Sequence, residues 1–393
     1  MPARSLAWLA TACALASLAA AYLVVQSGLW IGLFWLGFCA AGVLAPGARA
    51  RRLACLNAGF LLLVFVAAEL VFARGPELRS EGSALEGYTI PHDVLGYAPA
   101  PGHETTLRVT GDGEVVYDVT YTIDAQGLRI SPPSTAPDGG PCLVFFGDSF
   151  TFGEGLENDE TLPWQLGVAT GGRYRVYNFG FHGYGPHQML AALERGLVEE
   201  RTDCRPLAVV YQGAEFHVAR AAGLSTWEES GPHYEASEDG GAKLVGRFAP
   251  DRFLYPQWLV DAAAHSRVLA KLRGLHRPTH AGDVARLLGI LEQTRREVAE
   301  RFPGAELLVV WWDSGPDDAL AAELLARGFR VQRVSAMLPD RFEAPEKYRL
   351  HRLDGHPNAL AFERVAAALA ASFDRLPETS AAADPEQSDA DPR

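Results

Sequence analysis

A serine stands where a predicted strand gives way to a predicted helix. The run Gly147-Asp148-Ser149-Phe150-Thr151-Phe152-Gly153 follows the apolar residues 143–146 and precedes a polar segment. A serine on such a turn projects its hydroxyl from the carboxyl edge of a sheet, where open α/β folds place their chemistry. Serine alone is a weak nucleophile, so the turn predicts acyl chemistry only if the chain also supplies a base.

The segment Asp354-Gly355-His356-Pro357-Asn358 offers that base. His356 could accept the serine proton and Asp354 could orient the imidazole, provided that the chain curls at Gly355. The segment precedes the last predicted helix, which would bring it to the same sheet edge as Ser149. The alternative is a loop histidine near a helix start that Asn358 caps. Because a nucleophile turn is also present, we expect catalysis.

A third stretch, rich in glycine, follows the second predicted strand and reads Asn178-Phe179-Gly180-Phe181-His182-Gly183-Tyr184-Gly185-Pro186. Glycine lets a backbone N–H approach a substrate oxygen closely, as an oxyanion donor must. Simple turn geometry would explain the stretch if it stood alone.

Together, the three ordered stretches resemble the SGNH/GDSL hydrolase superfamily. Residues 147–149 match its nucleophile block, 178–185 resemble its glycine block, and 354–358 match its terminal block. The likeness spans about 142–373, and 121–129 (YTIDAQGLR) resemble a segment of bacterial membrane-linked members.

The resemblance implies a role for each matching residue. Ser149 would be the nucleophile, His356 the base and Asp354 the residue that orients it. The backbone amides of Ser149 and Gly183 would face the oxyanion.

The chain departs from that family after the third predicted strand. The family carries a Gly-x-Asn-Asp block whose asparagine completes the oxyanion hole, whereas this chain reads Gln212-Gly213-Ala214-Glu215-Phe216-His217. Gln212, His217 or Arg220 could replace the asparagine, and we take His217 as the substitute. Alternatively, Glu215, His217 and Arg220 are surface or ion-paired residues of an insertion.

Four of these polar residues are further candidates for substrate contact: Asp148, Gln212, Glu215 and Arg220. Asp148 could instead be a turn residue that bonds its own backbone. One residue separates Asp354 from His356 where many family members have two, a shorter form that also occurs in SGNH-like polysaccharide acyltransferases. No Cys-x-x-Cys or His-Glu-x-x-His spacing is present, so we expect neither metal nor cofactor.

The elements around these motifs alternate. Strands are predicted at 142–148, 174–179, 206–213, 305–312 and 329–334, and helices at 186–201, 283–302, 317–327 and 359–373. This order predicts an α/β domain at 141–376 with a flavodoxin-like, doubly wound parallel sheet, the SGNH hydrolase fold. The insertion 214–282 carries aromatic residues and is interpreted as a lid or binding loop.

Two flanking segments lie outside that domain. The β-rich prelude at 76–140 has alternating runs at 105–109 and 115–121 around Gly111-Asp112-Gly113, which predict a hairpin that packs on the main domain. The acidic tail at 377–393 lacks large apolar residues and is expected to be disordered.

Apolar composition dominates residues 1–75. Three runs, 6–25, 29–45 and 53–73, predict three transmembrane helices, although the first could be a cleaved signal peptide. Arginines at 49, 51 and 52 place the short loop between the second and third runs in the cytoplasm. The rest of the chain is then expected on the periplasmic or extracellular side, as a multi-pass membrane protein.

The net charge limits the classes of expected partner, and the positions of the cysteines raise the question of a disulfide. The net charge is −13, and no basic stripe is interleaved with aromatics, so nucleic acid is not an expected partner. Of five cysteines, Cys142 and Cys204 fall in the outer domain. In an oxidising compartment they could form a disulfide, or they could be two buried thiols.

These observations predict a membrane-anchored serine esterase that acts on an O-acyl group of a cell-envelope glycan or glycolipid. Acyl transfer to a polysaccharide by the same serine is an alternative, since three membrane spans are more than a simple tether needs. A partner protein in the membrane is a further expectation. A non-catalytic glycan-binding or assembly protein with a degenerate site is the alternative from another class.

Overall fold

The computed structural model describes residues 28–44, 49–72, 78–83, 87–225, 227, 230–248, 266, 268 and 278–373. The first expected membrane run, 6–25, and the tail, 377–393, lie outside these residues.

Two apolar helices open the described chain: α1, Gly28–Leu44, and α2, Arg49–Phe72. They lie side by side, with Gly32 against Val66 and Gly42 against Cys55. Within the described ranges only Arg52–Phe72 is long and apolar enough to cross a membrane. The described residues thus contain one candidate span where three were expected; the first expected run lies outside them, and α1 is described over 17 residues.

The prelude is built of short antiparallel strands. Strand β1 (Leu78–Ser83) pairs with β4 (Glu104–Gly111), which forms a hairpin with β5 (Glu114–Thr122) at the expected turn, while β2 (Thr89–His92) pairs with β3 (Gly96–Pro99). Tyr121 of β5 is fully buried and its ring contacts Phe152 of the following domain. The prelude thus packs on the main domain.

The main domain holds a five-stranded parallel sheet. Its strands are β6 (Pro141–Phe146), β7 (Arg175–Asn178), β8 (Arg205–Ala214), β11 (Glu306–Trp312) and β12 (Arg330–Arg333), arranged β12-β11-β8-β6-β7. In sequence order this is 2-1-3-4-5, the flavodoxin-like order. The order reverses between β6 and β8, so a crevice is expected at the carboxyl ends of these strands.

Helices cover both faces of the sheet, as the alternating pattern predicts. One face packs on α4 (Leu162–Ala169) and α11 (Ala359–Phe373), and the other on α5 (Pro186–Glu194) and α8 (Ala281–Arg301). Central strand residues are apolar on both sides, because each side is buried. The shorter helices are α3 (Ser149–Phe152), α6 (Leu197–Arg201), α7 (His217–Ala221), α9 (Ala319–Ala326) and α10 (Val334–Met337).

Local structure differs from the sequence expectation at three places. The helix expected at 186–201 is two helices, because Gly196 adopts the left-handed conformation with φ 71°. The insertion contains a hairpin, β9 (Pro232–Ala236) and β10 (Ala242–Arg247), that packs on α8. The segment 354–358, expected as a loop, contains β14 (Asp354–Pro357), which pairs with β13 (Arg349–His351).

Cys142 and Cys204 form a disulfide across the amino ends of β6 and β8. Of the two possibilities left open by the sequence, the structure has the bridge. It joins neighbouring strands at the edge of the sheet opposite the serine turn.

Candidate active site

The serine turn is built by a glycine and a capping aspartate. Strand β6 ends at Phe146, and the Asp148 carboxylate caps the single-turn helix α3 by accepting the Phe150 N–H at 2.9 Å. Gly147 has φ 152°, and a Cβ there would lie 2.2 Å from Thr151 Oγ1 and 2.7 Å from the Gln212 carbonyl. Only glycine fits this tight return, which leaves Ser149 at the first position of α3.

Ser149, His356 and Asp354 meet at the carboxyl edge of the sheet. Ser149 Oγ lies 2.9 Å from His356 Nε2, and His356 Nδ1 lies 2.6 Å from Asp354 Oδ1. The same Asp354 oxygen accepts the His356 backbone N–H at 2.9 Å, so the chain curls at Gly355 as the sequence required. The three side chains form a continuous hydrogen-bonded series from carboxylate to hydroxyl.

The charges around His356 favour its protonated form. Burial alone would lower the pKa of His356, but the hydrogen bond that His356 donates to Asp354 and the negative charges of Glu154 and Asp354 outweigh burial and raise that pKa above its ordinary value. A histidine held in this way is a stronger base than a free one. The imidazolium that forms after it takes the serine proton is correspondingly stabilised.

A buried arginine from the prelude holds the loop that follows α3. Arg129 Nη1 donates to the carbonyls of Phe152 and Gly153 at 2.6 Å each, and its Nη2 donates to the Leu156 carbonyl at 2.5 Å. Burial lowers the pKa of Arg129 to about 10, so the guanidinium stays charged at neutral pH. Its planar guanidinium thus holds three carbonyls of the loop that follows the serine turn.

Asp148 belongs to a buried charge cluster behind the serine. Its Oδ2 accepts from Arg220 Nη1 at 2.5 Å and lies 3.2 Å from His217 Nε2. Burial opposes ionisation, but Arg220 and His217 outweigh it and hold the pKa of Asp148 well below its usual range. The carboxylate can therefore only accept. His217 Nε2 also lies 3.1 Å from Arg220 Nη1, so the three side chains are in mutual contact.

A cavity of about 740 Å³ opens on the serine. Its wall contains Ser149, His356, Gly183 and Arg220, together with Tyr97 and Trp227. Gly183 has φ 74°, and a Cβ there would meet Trp227 Nε1 at 2.4 Å and the Tyr97 hydroxyl at 2.8 Å. In the part of the chain that the structure describes, the backbone N–H groups of Ser149 and Gly183 donate no hydrogen bond.

The other predicted site residues lie elsewhere. His217, 1% exposed, is enclosed between Asp148 and the Tyr211 hydroxyl, 2.5 Å from its Nδ1, and does not line the cavity. Gln212 accepts from Thr151 Oγ1 at 3.1 Å and supports the serine turn from behind. Glu215 lines a different cavity, on the far side of Phe150.

Among the cavity residues that were not singled out from the sequence are Glu154 and His182. Glu154 Oε2 lies 2.7 Å from His182 Nδ1 and 3.6 Å from His356 Nε2. Burial opposes ionisation of Glu154, yet the hydrogen-bonded His182 outweighs it and lowers the pKa of Glu154 to about 2. The sequence feature that could have pointed to Glu154 is the preceding glycine, Gly153. Its left-handed conformation turns the chain, so that the Glu154 N–H donates to the Ser149 carbonyl at 2.8 Å.

Among the described residues, no group of three or more histidine, cysteine, aspartate or glutamate side chains is placed to hold a metal ion.

Comparisons with known proteins gave structural neighbours alone. No family model and no curated protein matches the chain. Similar solved structures include a lipolytic G-D-S-L family protein from Desulfitobacterium hafniense (11% identical, covering 60% of this chain and 99% of that one, TM-score 0.32). Another is an AlinE4 esterase variant (17%, 62% and 100%, TM-score 0.32). An acetyl xylan esterase from the rumen bacterium Butyrivibrio proteoclasticus is 12% identical (70% and 71%, TM-score 0.32). At these values, the functional argument rests on the geometry of this chain.

Proposed function

We propose that this protein is a serine esterase of the SGNH type that hydrolyses an O-acyl ester through an acyl-enzyme. The observation that carries the proposal is the series from Ser149 Oγ through His356 to Asp354, with 2.9 Å and 2.6 Å between successive partners. A nucleophile, a base within hydrogen-bond reach and a carboxylate that orients the base are the parts that such catalysis needs.

The reaction proceeds in two half-reactions. His356 Nε2 takes the Ser149 proton as Oγ attacks the ester carbonyl, and then gives that proton to the leaving alcohol as its bond to the acyl carbon breaks. Water then adds to the acyl carbon and loses a proton to Nε2. The proton returns to Oγ as the acyl–serine bond breaks and the free acid leaves.

The developing oxyanion needs donors, and three are proposed. The backbone N–H groups of Ser149 and Gly183 border the cavity, and Arg220 supplies the third in place of the expected asparagine. Arg220 lines the cavity, whereas His217 is buried against Asp148 and does not line it. The proposed oxyanion hole therefore contains Arg220 and not His217. The buried Asp148 fixes the position of the guanidinium.

The proposed setting is the outer face of a membrane. Support comes from the apolar helix Arg52–Phe72, the arginines at its start and the disulfide between Cys142 and Cys204. Disulfides persist in oxidising compartments, and the positive-inside rule keeps the arginines in the cytoplasm. A natural ester there is an O-acyl group of an envelope glycan or glycolipid.

Replacement of the nucleophile tests the proposal. In the full-length chain in detergent, Ser149→Ala is expected to abolish hydrolysis of p-nitrophenyl acetate and labelling by a fluorophosphonate. Ser80→Ala, on an exposed prelude strand, is the matched control and is expected to behave as wild type. Unchanged turnover in Ser149→Ala would contradict the proposal. An unlabelled wild-type Ser149 would favour a non-catalytic glycan-binding protein.

A further inference from the structure

Glu154 stands where a second reactant must bind. In both half-reactions His356 Nε2 exchanges a proton with the oxygen of the leaving or attacking group, so that oxygen lies within about 3 Å of Nε2. Glu154 Oε2 is 3.6 Å from the same nitrogen and lines the same cavity. Whatever hydrogen-bonds to Glu154 is therefore a neighbour of the reacting oxygen.

The state of Glu154 restricts what it can bind. With its pKa lowered to about 2, the group is a carboxylate at neutral pH and only accepts hydrogen bonds. His182 Nδ1 satisfies one position, and a quarter of the Glu154 side chain remains exposed to the cavity. A carboxylate has about four acceptor positions. A donor on the substrate is the partner that the cavity side of Glu154 requires.

The carboxylate is held in place from behind. Since Glu154 accepts, His182 Nδ1 carries the proton and His182 Nε2 accepts from the Tyr88 hydroxyl, 3.0 Å away. The Tyr97 hydroxyl donates to the His182 carbonyl at 2.7 Å. Two prelude tyrosines therefore fix the histidine that fixes Glu154, which is the preorganisation expected of a group that positions a substrate.

The hydrogen count then limits the acceptor to molecules that carry a second donor hydrogen beside the attacking oxygen. An attacking alcohol has one hydroxyl hydrogen, and His356 takes it. We propose that Glu154 binds the second hydroxyl of a vicinal diol, so that the site transfers its acyl group to a sugar or polyol with neighbouring hydroxyls. This inference rests on the acyl-enzyme function proposed above and names its acceptor class. Water also fits, because its second hydrogen can go to Glu154.

The transfer step balances without any further reactant. The first hydroxyl oxygen of the diol bonds to the acyl carbon of acyl-Ser149 while its proton passes to His356 Nε2. The bond between the acyl carbon and Ser149 Oγ then breaks, and Nε2 returns the proton to Oγ. The products are a monoacylated diol and free Ser149. The second hydroxyl stays bound to Glu154 and does not react.

Competition between two acceptors tests this. The full-length chain in detergent is given p-nitrophenyl acetate as donor with ethylene glycol or ethanol at equal concentration, and the acetate, ethyl acetate and glycol monoacetate formed are quantified by mass spectrometry. Wild type is expected to acetylate the glycol in preference to ethanol. Glu154→Gln is expected to lower the glycol-to-ethanol product ratio about tenfold, as loss of a hydrogen bond to a charged group does.

Companion variants separate positioning from structural damage. Glu154→Asp keeps the charge and should retain part of the preference, whereas His182→Gln should lose most of it because the carboxylate is no longer held. Glu300→Gln, exposed at the end of α8, is the matched control and should keep the wild-type ratio. Fluorophosphonate labelling of Ser149 in every variant reports that the nucleophile is intact.

The possible results of these measurements bear on different proposals. Equal losses with glycol and ethanol in Glu154→Gln would overturn the inference and make Glu154 a support for the His356 charge alone. Acetate as the only wild-type product would also overturn it, while leaving the esterase proposal in place. No turnover and no Ser149 labelling in wild type would instead overturn the proposed function itself.

Discussion

Asp148 and Arg220, 72 positions apart in the chain, form a buried ion pair behind the nucleophile, with 2.5 Å between Oδ2 and Nη1. The pair joins the serine turn to the segment that follows β8, where the sequence lacks the expected asparagine. Arg220 also donates to the Tyr184 carbonyl at 2.9 Å, which lies next to Gly183. One guanidinium thus connects the serine turn with the glycine stretch.

Removal of this arginine should harm both stability and catalysis. Arg220→Ala leaves the Asp148 carboxylate buried without its main partner, which is expected to cost about 3 kcal/mol of unfolding free energy. Loss of an oxyanion donor is expected to lower kcat/KM about a hundredfold. Thermal unfolding in detergent and ester turnover measure the two effects.

A double variant separates the effect of Arg220 on stability from its effect on turnover. Asp148→Asn combined with Arg220→Ala removes the unpaired charge and should recover much of the stability but none of the turnover. Recovery of turnover in the double variant would show that Arg220 acts only by neutralising Asp148.

The pH dependence of kcat/KM should reflect His356. The base works unprotonated, and its pKa is raised, so activity is expected to fall as the pH decreases through a value above the ordinary one of about 6.5. In Glu154→Gln a negative charge that raises this pKa is gone, and the acid limb should move to lower pH. Glu300→Gln should leave it in place. A limb that moves upward in Glu154→Gln would contradict the assignment of His356 as base.

Gly147→Ala should abolish the proposed ester hydrolysis by displacing the backbone of the serine turn. The added Cβ would lie 2.2 Å from Thr151 Oγ1 and 2.7 Å from the Gln212 carbonyl, so the serine turn must shift. We expect a loss of turnover of more than a hundredfold, because a displacement of about 1 Å in an active site has this effect. Gly37→Ala, where a Cβ meets nothing within 4 Å, is the control. Normal turnover in Gly147→Ala would show that the turn tolerates the shift.

The disulfide should stabilise the fold without serving the chemistry. Replacing both Cys142 and Cys204 by alanine is expected to lower the unfolding free energy by about 4 kcal/mol, given the 62-residue separation that the bond closes. Turnover per folded molecule should stay unchanged, since the bond lies at the opposite edge of the sheet. Unfolding curves of wild type with and without reductant check the same point; identical curves would contradict it.

The parts of the fold with strong periodic signals followed from sequence. Five apolar runs separated by helical patterns give the five parallel strands, because a strand buried on both faces reads as a continuous apolar segment. For the membrane spans, the described residues contain one candidate, Arg52–Phe72, where the apolar runs predicted three. Apolar composition marks runs that could enter a membrane but does not by itself fix how many helices cross it.

Side-chain direction marks the limit of sequence reasoning in the site. Ser149, His356 and Asp354 could be anticipated because each stands in a local motif. His217 has the expected position after β8, but Tyr211 and Asp148 enclose it. Glu154 reaches the cavity only because Gly153 reverses the chain and Arg129 holds the reversed segment, and that depends on contacts across distant parts of the sequence.

The contacts of Arg129 bear on where the functional unit begins. A chain cut at Pro141 would retain Ser149, His356 and Asp354 with the whole parallel sheet. It would lose the guanidinium that binds three carbonyls after the nucleophile, and the tyrosine that holds His182. The proposed active site therefore depends on contacts from residues as far upstream as Tyr88, and a piece that starts at Pro141 is expected to lose the positioning of Glu154.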